Sequence, residues 1–185
     1  MYGLVLWGAG KGTGTGRGVV LGDNSSNTKC LFDSQISRCW FTNIPDCCIA
    51  GENISDYHIF DNGIENSSVG VRIKNSPIAG GNDGGNRVYN NTFFGLDIGI
   101  HQITGGAFGG EDNRITDNIF WFCGKNPGGV GDDTHAAIIL DMNGSPAIRD
   151  GVISNNTFRL CVNDVLLLGH NGSYTGNTGV NAISI

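Results

Sequence analysis

The stretch from Val88 to Ile100, VYNNTFFGLDIGI, decides the fold. Its first six residues return as ITDNIF from Ile115 and as ISNNTF from Ile153. Looser copies begin at Ile36 (ISRCWF) and Ile59 (IFDNGI). Each copy opens on a β-branched residue and carries a large apolar residue five places later: Phe41, Ile64, Phe93, Phe120 and Phe158. Three places after the opener stand Asn62, Asn91, Asn118 and Asn156, with Cys39 in the first copy. Asn86-Arg87 and Asn113-Arg114 precede two of the openers. The copies are 23, 29, 27 and 38 residues apart, the spacing of units in a repeat array.

A second apolar stretch follows each block: CCIAG, VGVRIKN, LDIGIHQ, AAIILDM and VLLLGHN. These are short, rich in β-branched residues, and bounded by Gly, Asn and Pro, which is how strands read. Two or three short strands per unit, parallel from one unit to the next, predict an all-β fold. Its form is a right-handed parallel β-helix of about six coils. Inward residues then stack on their equivalents about 4.8 Å away, which accounts for the Phe/Ile column. An Asn at the corner forms an amide ladder and tolerates left-handed backbone, and Gly serves the other corners. The chain reads as one domain over residues 1–185. Residues 1–29 form a Gly-rich first coil, 30–180 the recognisable coils, and 123–136 a long loop insertion.

Composition agrees with this reading. Gly contributes 31 of 185 residues, too many for a helical bundle, where each interior Gly costs roughly 1 kcal/mol. No Gly-X-Y period is present, so a collagen helix is excluded. The net charge of −6 argues against a nucleic-acid binder, which needs a basic stripe. No apolar run is long enough for a membrane helix, and no basic-then-apolar leader opens the sequence. The six cysteines (Cys30, Cys39, Cys47, Cys48, Cys123 and Cys161) contain no C-x-x-C pair and are expected as reduced, mostly inward thiols. Cys123 and Cys161, each eight places after an opener, are expected to be neighbours on consecutive coils.

The pattern N-x-I-x-x-N-x-F…G-I-x-L resembles the parallel β-helix repeat of the pectate-lyase-like superfamily, over about residues 30–180. That group includes polysaccharide lyases and hydrolases and bacteriophage tailspikes. The resemblance implies binding, and in the enzyme members cleavage, of a polysaccharide by a lyase or glycoside hydrolase. Both chain ends, YGLVLWG and NAISI, read as strands without caps. A homotrimer, or further β-helix segments, would cover them, as in a tailspike on a virion or an extracellular protein. A non-catalytic segment of a fibre or spike is the alternative.

Three motifs do not transfer. GAGKGT at Gly8–Thr13 lacks both the upstream Gly, replaced by Val5, and the following helix of a phosphate loop. The stretch Val71–Lys74 resembles the Arg-Ile-Lys of polygalacturonases, and Asp132-Asp133 with Gly169-His170 resemble further motifs of that family. Their order along this chain is wrong, and Asn171 replaces the last Gly of Gly-His-Gly.

Strand alternation supplies the candidate site. Aligning Val71/Ile73, Ile98/Ile100, Ile138/Leu140 and Leu166/Leu168 as inward pairs makes Lys74, His101, Asp141 and Gly169 the outward residues in coil order, with Lys74, His101 and Asp141 in one column. A Lys–His–Asp row supplies acid–base chemistry near neutral pH, suited to a uronate or another acidic sugar. Asp132, Asp133 and His135 in the long insertion are expected to wall a groove beside it. No cofactor is implied, although Ca²⁺ could be held by the acidic pair. Phe94 and Trp121, each six places after an opener, are expected to stack outside, against a sugar ring or a neighbouring subunit.

Overall fold

The computed structural model describes residues 3–8, 15–22, 31–52, 54–75, 84–104, 113–124, 135–141, 149–168 and 171–175. Among these the protein is all-β, with three six-stranded parallel sheets and one two-stranded sheet. Sheet A contains Gln35–Ser37, His58–Phe60, Arg87–Tyr89, Arg114–Thr116, Arg149–Ser154 and Asn171–Thr175. Sheet B contains Val5–Trp7, Trp40–Thr42, Gly63–Glu65, Thr92–Phe94, Ile119–Trp121 and Thr157–Arg159. Sheet C contains Arg17–Leu21, Cys47–Glu52, Val69–Asn75, Ile98–Thr104, Ile138–Asp141 and Val165–Leu168. The chain visits A, B and C in rotation, and each circuit lies in parallel register on the next, an arrangement compatible with a parallel β-helix.

The five openers are the buried middle residues of the sheet A strands, and Phe41, Ile64, Phe93, Phe120 and Phe158 those of sheet B. Alternation along a strand turns the flanking residues outward and keeps these in. The Phe93 and Phe120 rings stack with centroids 4.7 Å apart, and Phe120 and Phe158 at 5.2 Å, within 10° of parallel. Small residues on sheet C make room for them. A Cβ at Gly70 would lie 2.9 Å from the Phe93 ring, and one at Gly99 would lie 2.8 Å from Phe120.

Between sheets A and B the asparagines form a continuous ladder. The Asn62 side-chain amide donates to Asn91 Oδ1 at 3.0 Å, Asn91 to Asn118 at 3.1 Å, and Asn118 to Asn156 at 3.0 Å. The same acceptors take the backbone N–H of the preceding ladder residue, and Cys39 N–H donates to Asn62 Oδ1 to begin the series. Each amide also donates to a carbonyl of sheet A, as Asn118 does to Val88 at 2.9 Å. Burial of these groups without partners would cost about 1–3 kcal/mol apiece, so the ladder is what permits polar residues inside.

The corner geometry corrects one expectation. The ladder asparagines are not the left-handed residues. Positive φ falls on the residue before each: Arg38, Asp61, Asn90, Asp117 and Asn155. The corner between B and C likewise turns on one left-handed residue per circuit: Asn43, Asn66, Gly95, Phe122 and Leu160. Only one of those five is glycine; elsewhere among the described residues Gly3, Gly22, Gly85 and Gly124 also take positive φ, while Gly18, Gly70 and Gly99 lie under the Phe column. Asn86 and Asn113 belong to a second, shorter ladder: Tyr57 N–H donates to Asn86 Oδ1, and Asn86 N–H to Asn113 Oδ1.

Cys123 and Cys161 follow the left-handed residues Phe122 and Leu160, on consecutive circuits, and each thiol donates to a backbone carbonyl of the preceding circuit, Cys123 to Phe93 at 3.7 Å and Cys161 to Phe120 at 3.6 Å. No disulfide joins them, and Cys39, Cys47 and Cys48 are free buried thiols. Cys30 lies outside the described residues.

Candidate functional site

Register between sheet C strands places the outward residues. Arg72 pairs with His101, and Lys74 with Ile103 and Glu52. His101 pairs with Ile139, and Ile103 with Asp141. Lys74, His101 and Asp141 therefore do not form one column. The inward partners of Val71 and Ile73 are Ile100 and Gln102, two residues later than the apolar pattern suggested. The buried Gln102 occupies an inward position that reads as polar in the sequence, which is why the alignment slipped. A shift of two preserves the face, so all three residues still point outward, on two adjacent columns. The expected pair Leu166/Leu168 is off by one instead: Leu166 pairs with Ile139, in the row of His101, and Val165 takes the inward place beside Ile138.

Those columns converge on a depression of about 440 Å³ lined by Arg17, Glu52, Arg72, Lys74, His101 and Asp141. Arg17 donates to Asp46 at 3.0 Å and approaches Glu52 at 3.4 Å, and Arg72 holds the other Asp46 oxygen at 3.2 Å. His101 Nε2 lies 4.0 Å from Asp141 Oδ2. Both side chains are partly exposed, at 18% and 31%.

Charge is tuned unevenly in this cluster. Burial pushes the His101 imidazole down to about 4, the Arg72 cation adds to the drop, and Asp141 opposes it. His101 is thus neutral at pH 7, and its approach to Asp141 is a contact of a neutral ring with a carboxylate rather than an ion pair. Burial of Asp46 favours its protonated form, but hydrogen bonds from Arg17 and Arg72 outweigh burial and hold the carboxyl below its ordinary range. The bond to Asp46 in turn raises Arg17. Chemically, the depression offers cations and a neutral imidazole base beside a carboxylate. That set suits recognition of an anionic group next to a transferable proton.

The other sequence candidates lie elsewhere. Phe94 and Trp121 are register neighbours on the outer face of sheet B, 42% and 41% exposed, with ring centroids 5.9 Å apart at 85°. They meet edge to face rather than stacked, and Phe122 completes the group by lying parallel to Trp121 at 5.9 Å. They belong to a different sheet from His101 and do not share its depression. His135 stands three residues before the strand Ile138–Asp141 and six before Asp141, and it does not line the depression. Asp132 and Asp133, and with them the candidate Ca²⁺ ligands, lie outside the described residues, as do Gly169-His170 and most of Gly8–Thr13. Among the described residues no group of three or more His, Cys, Asp or Glu side chains could hold a metal ion.

Arg17, Asp46, Glu52 and Arg72 escaped sequence reasoning. Arg72 alone carried a signal, because it shares strand parity with Lys74. The others come from earlier circuits and join only through the register.

No family model, curated protein or solved structure matches the chain.

Proposed function

We propose that this chain is a right-handed parallel β-helix of the pectate-lyase-like, tailspike kind, and that it binds an acidic polysaccharide along the outer face of sheet C. The convergence of Arg72, Lys74, His101 and Asp141 on one depression carries the reading. Arg72 and Lys74 take the carboxylate of a uronate residue, and the short path to Asp141 and Glu52 accepts ring hydroxyls. Cleavage, where it occurs, is a β-elimination. Neutral His101 takes the proton α to the carboxylate, and the electron pair forms the C4=C5 double bond. The C4–O bond breaks, and the leaving oxygen is protonated by Lys74 or water. The cations supply the larger part of the effect by stabilising charge on the carboxylate in the transition state. As a tailspike-like protein it would work on a virion or outside a cell, as a homotrimer or within a longer spike.

The test is binding to soluble polygalacturonate, alginate and hyaluronan by affinity electrophoresis, with the ultraviolet absorbance of an unsaturated uronate as the cleavage readout. At least one acidic glycan is expected to bind, with Arg72→Ala and Lys74→Ala each weakening it tenfold or more. Binding that ignores both substitutions, or no binding at all, sinks the proposal and leaves a structural spacer of a fibre as the better reading.

A further inference from the structure

Sheet B carries a second depression, of about 570 Å³, on a different face from the His101 cluster. Trp40 dominates it. The indole is 46% exposed although it sits on a central strand between Val5–Trp7 and Gly63–Glu65. Its six-membered ring occupies the space that a side chain at residue 63 would need, because a Cβ on Gly63 would collide with Trp40 Cε3 and Cζ3. Glycine inside a strand weakens it and marks a place where another group approaches closely. Here the approaching group is an exposed indole, fixed in position across the neighbouring circuit.

Exposed Leu4 and Val5 form an apolar side of the depression beside the indole, and the other side is polar and regularly spaced. Arg38, Asp61 and Asn90 line it from the left-handed corner positions of three successive circuits, with Thr92 at the far end. An immobilised aromatic face beside a carboxylate, a carboxamide and a hydroxyl, repeated at the circuit spacing, matches the two-sided chemistry of a pyranose. The C–H face rests on the indole, and the equatorial hydroxyls reach the rim. Carboxylates are depleted in the interior of a protein–protein contact, and burial there would strip water from Asp61. A second copy of the chain is therefore the poorer occupant.

We infer that the Trp40–Gly63 platform is a separate binding site for neutral hexopyranosyl units of a glycan, running along the stacking direction with Asp61 and Asn90 as hydroxyl acceptors and donors. This rests on the polysaccharide reading above but not on its site, since none of the sheet C residues take part.

The experiment titrates neutral tetrasaccharides of glucose, galactose, mannose and N-acetylglucosamine into the full chain, read by saturation-transfer NMR and by Trp fluorescence. At least one is expected to bind, tenfold or more weaker in Trp40→Ala and Gly63→Val, threefold or more weaker in Asp61→Asn, and unchanged in Arg72→Ala. Trp40→Phe, which keeps an aromatic face, is expected to retain most of the affinity, which separates loss of the platform from loss of the fold. Absence of any neutral ligand, or equal binding by Trp40→Ala, overturns the inference, even where acidic glycans bind sheet C. A lower sedimentation coefficient for Trp40→Ala than for the parent chain would assign the face to self-association instead and also overturn it. Neutral binding that persists while acidic binding fails would uphold this site and remove the sheet C reading.

Discussion

Sheets B and C turn equivalent apolar rows inward and opposite chemistries outward. Inside, Phe93–Phe120–Phe158 on sheet B face Val71–Ile100–Ile138 on sheet C in one core. Outside, sheet B exposes Trp40, Phe94, Ile119 and Trp121, whereas sheet C gathers Arg17, Glu52, Arg72, Lys74, His101 and Asp141. The inner face is constrained because each residue must pack on its equivalent one circuit away, so most of its positions stay apolar, with Gln102 the exception. The outer face is under no such constraint, so it changes with each circuit and is where recognition can be built.

The largest expected effect breaks the interior. Phe120→Ala removes the middle ring of the stack and should cost about 3–5 kcal/mol, measured by chemical denaturation. A loss under about 1 kcal/mol would mean that the column does not organise the core. Next comes Asn118→Ala. It strands the donors of Asn91 and the Val88 carbonyl, for about 2–4 kcal/mol, more than an exposed Asn could yield. Asn118→Asp, with acceptors but no amide donor, should rescue only part of it.

Acid should distinguish the outer faces. The unfolded chain protonates His101 near its ordinary 6.5, whereas the folded chain resists until about 4. Between those values the unfolded state binds more protons, so stability falls as pH falls through that window, by about 1.4 kcal/mol per unit of separation before solvent screening reduces it. His101→Gln should flatten stability against pH from 6.5 to 4. It should leave the further loss below that range, to which Asp46 contributes as it is protonated. An unchanged profile would show that the imidazole is not held neutral.

The smallest effect concerns a corner. Leu160 adopts φ 53° with 58% of its surface exposed. Leu160→Asn should stabilise the protein by about 0.5–1 kcal/mol, because Asn tolerates left-handed backbone and little packing is lost. Thermal melting would detect this as a small rise in midpoint, and a fall would mean that Leu160 makes a contact worth more than the backbone strain.

These contrasts explain how far the sequence could be read. The Phe and Asn columns were legible because stacking forces the same residue type to recur at the same place in each unit. The face of Lys74, His101 and Asp141 followed from alternation alone. Their columns did not, because the hydrophobic pattern breaks at Gln102, and a polar residue in an inward position gives the eye no anchor. The partners Arg17, Asp46 and Glu52 were invisible for a different reason. They come from other circuits, across loops of unequal length, and only hydrogen-bonded register brings them together. Trp40 and Gly63 both stood inside recognised copies, but their relation runs across circuits rather than along the chain.

The asparagine ladder also has a direction. From Asn62 to Asn118 each side chain donates toward the next circuit and accepts from the one before, so the amide dipoles align head to tail along the axis. Aligned hydrogen bonds polarise one another, so the inner links are stronger than isolated ones and the end links weaker. A stack whose circuits touched only their neighbours would open piecemeal from either end. This electrostatic column ties distant circuits into one cooperative block, so hydrogen exchange at the Asn91 and Asn118 backbone amides should report global unfolding rather than local fraying.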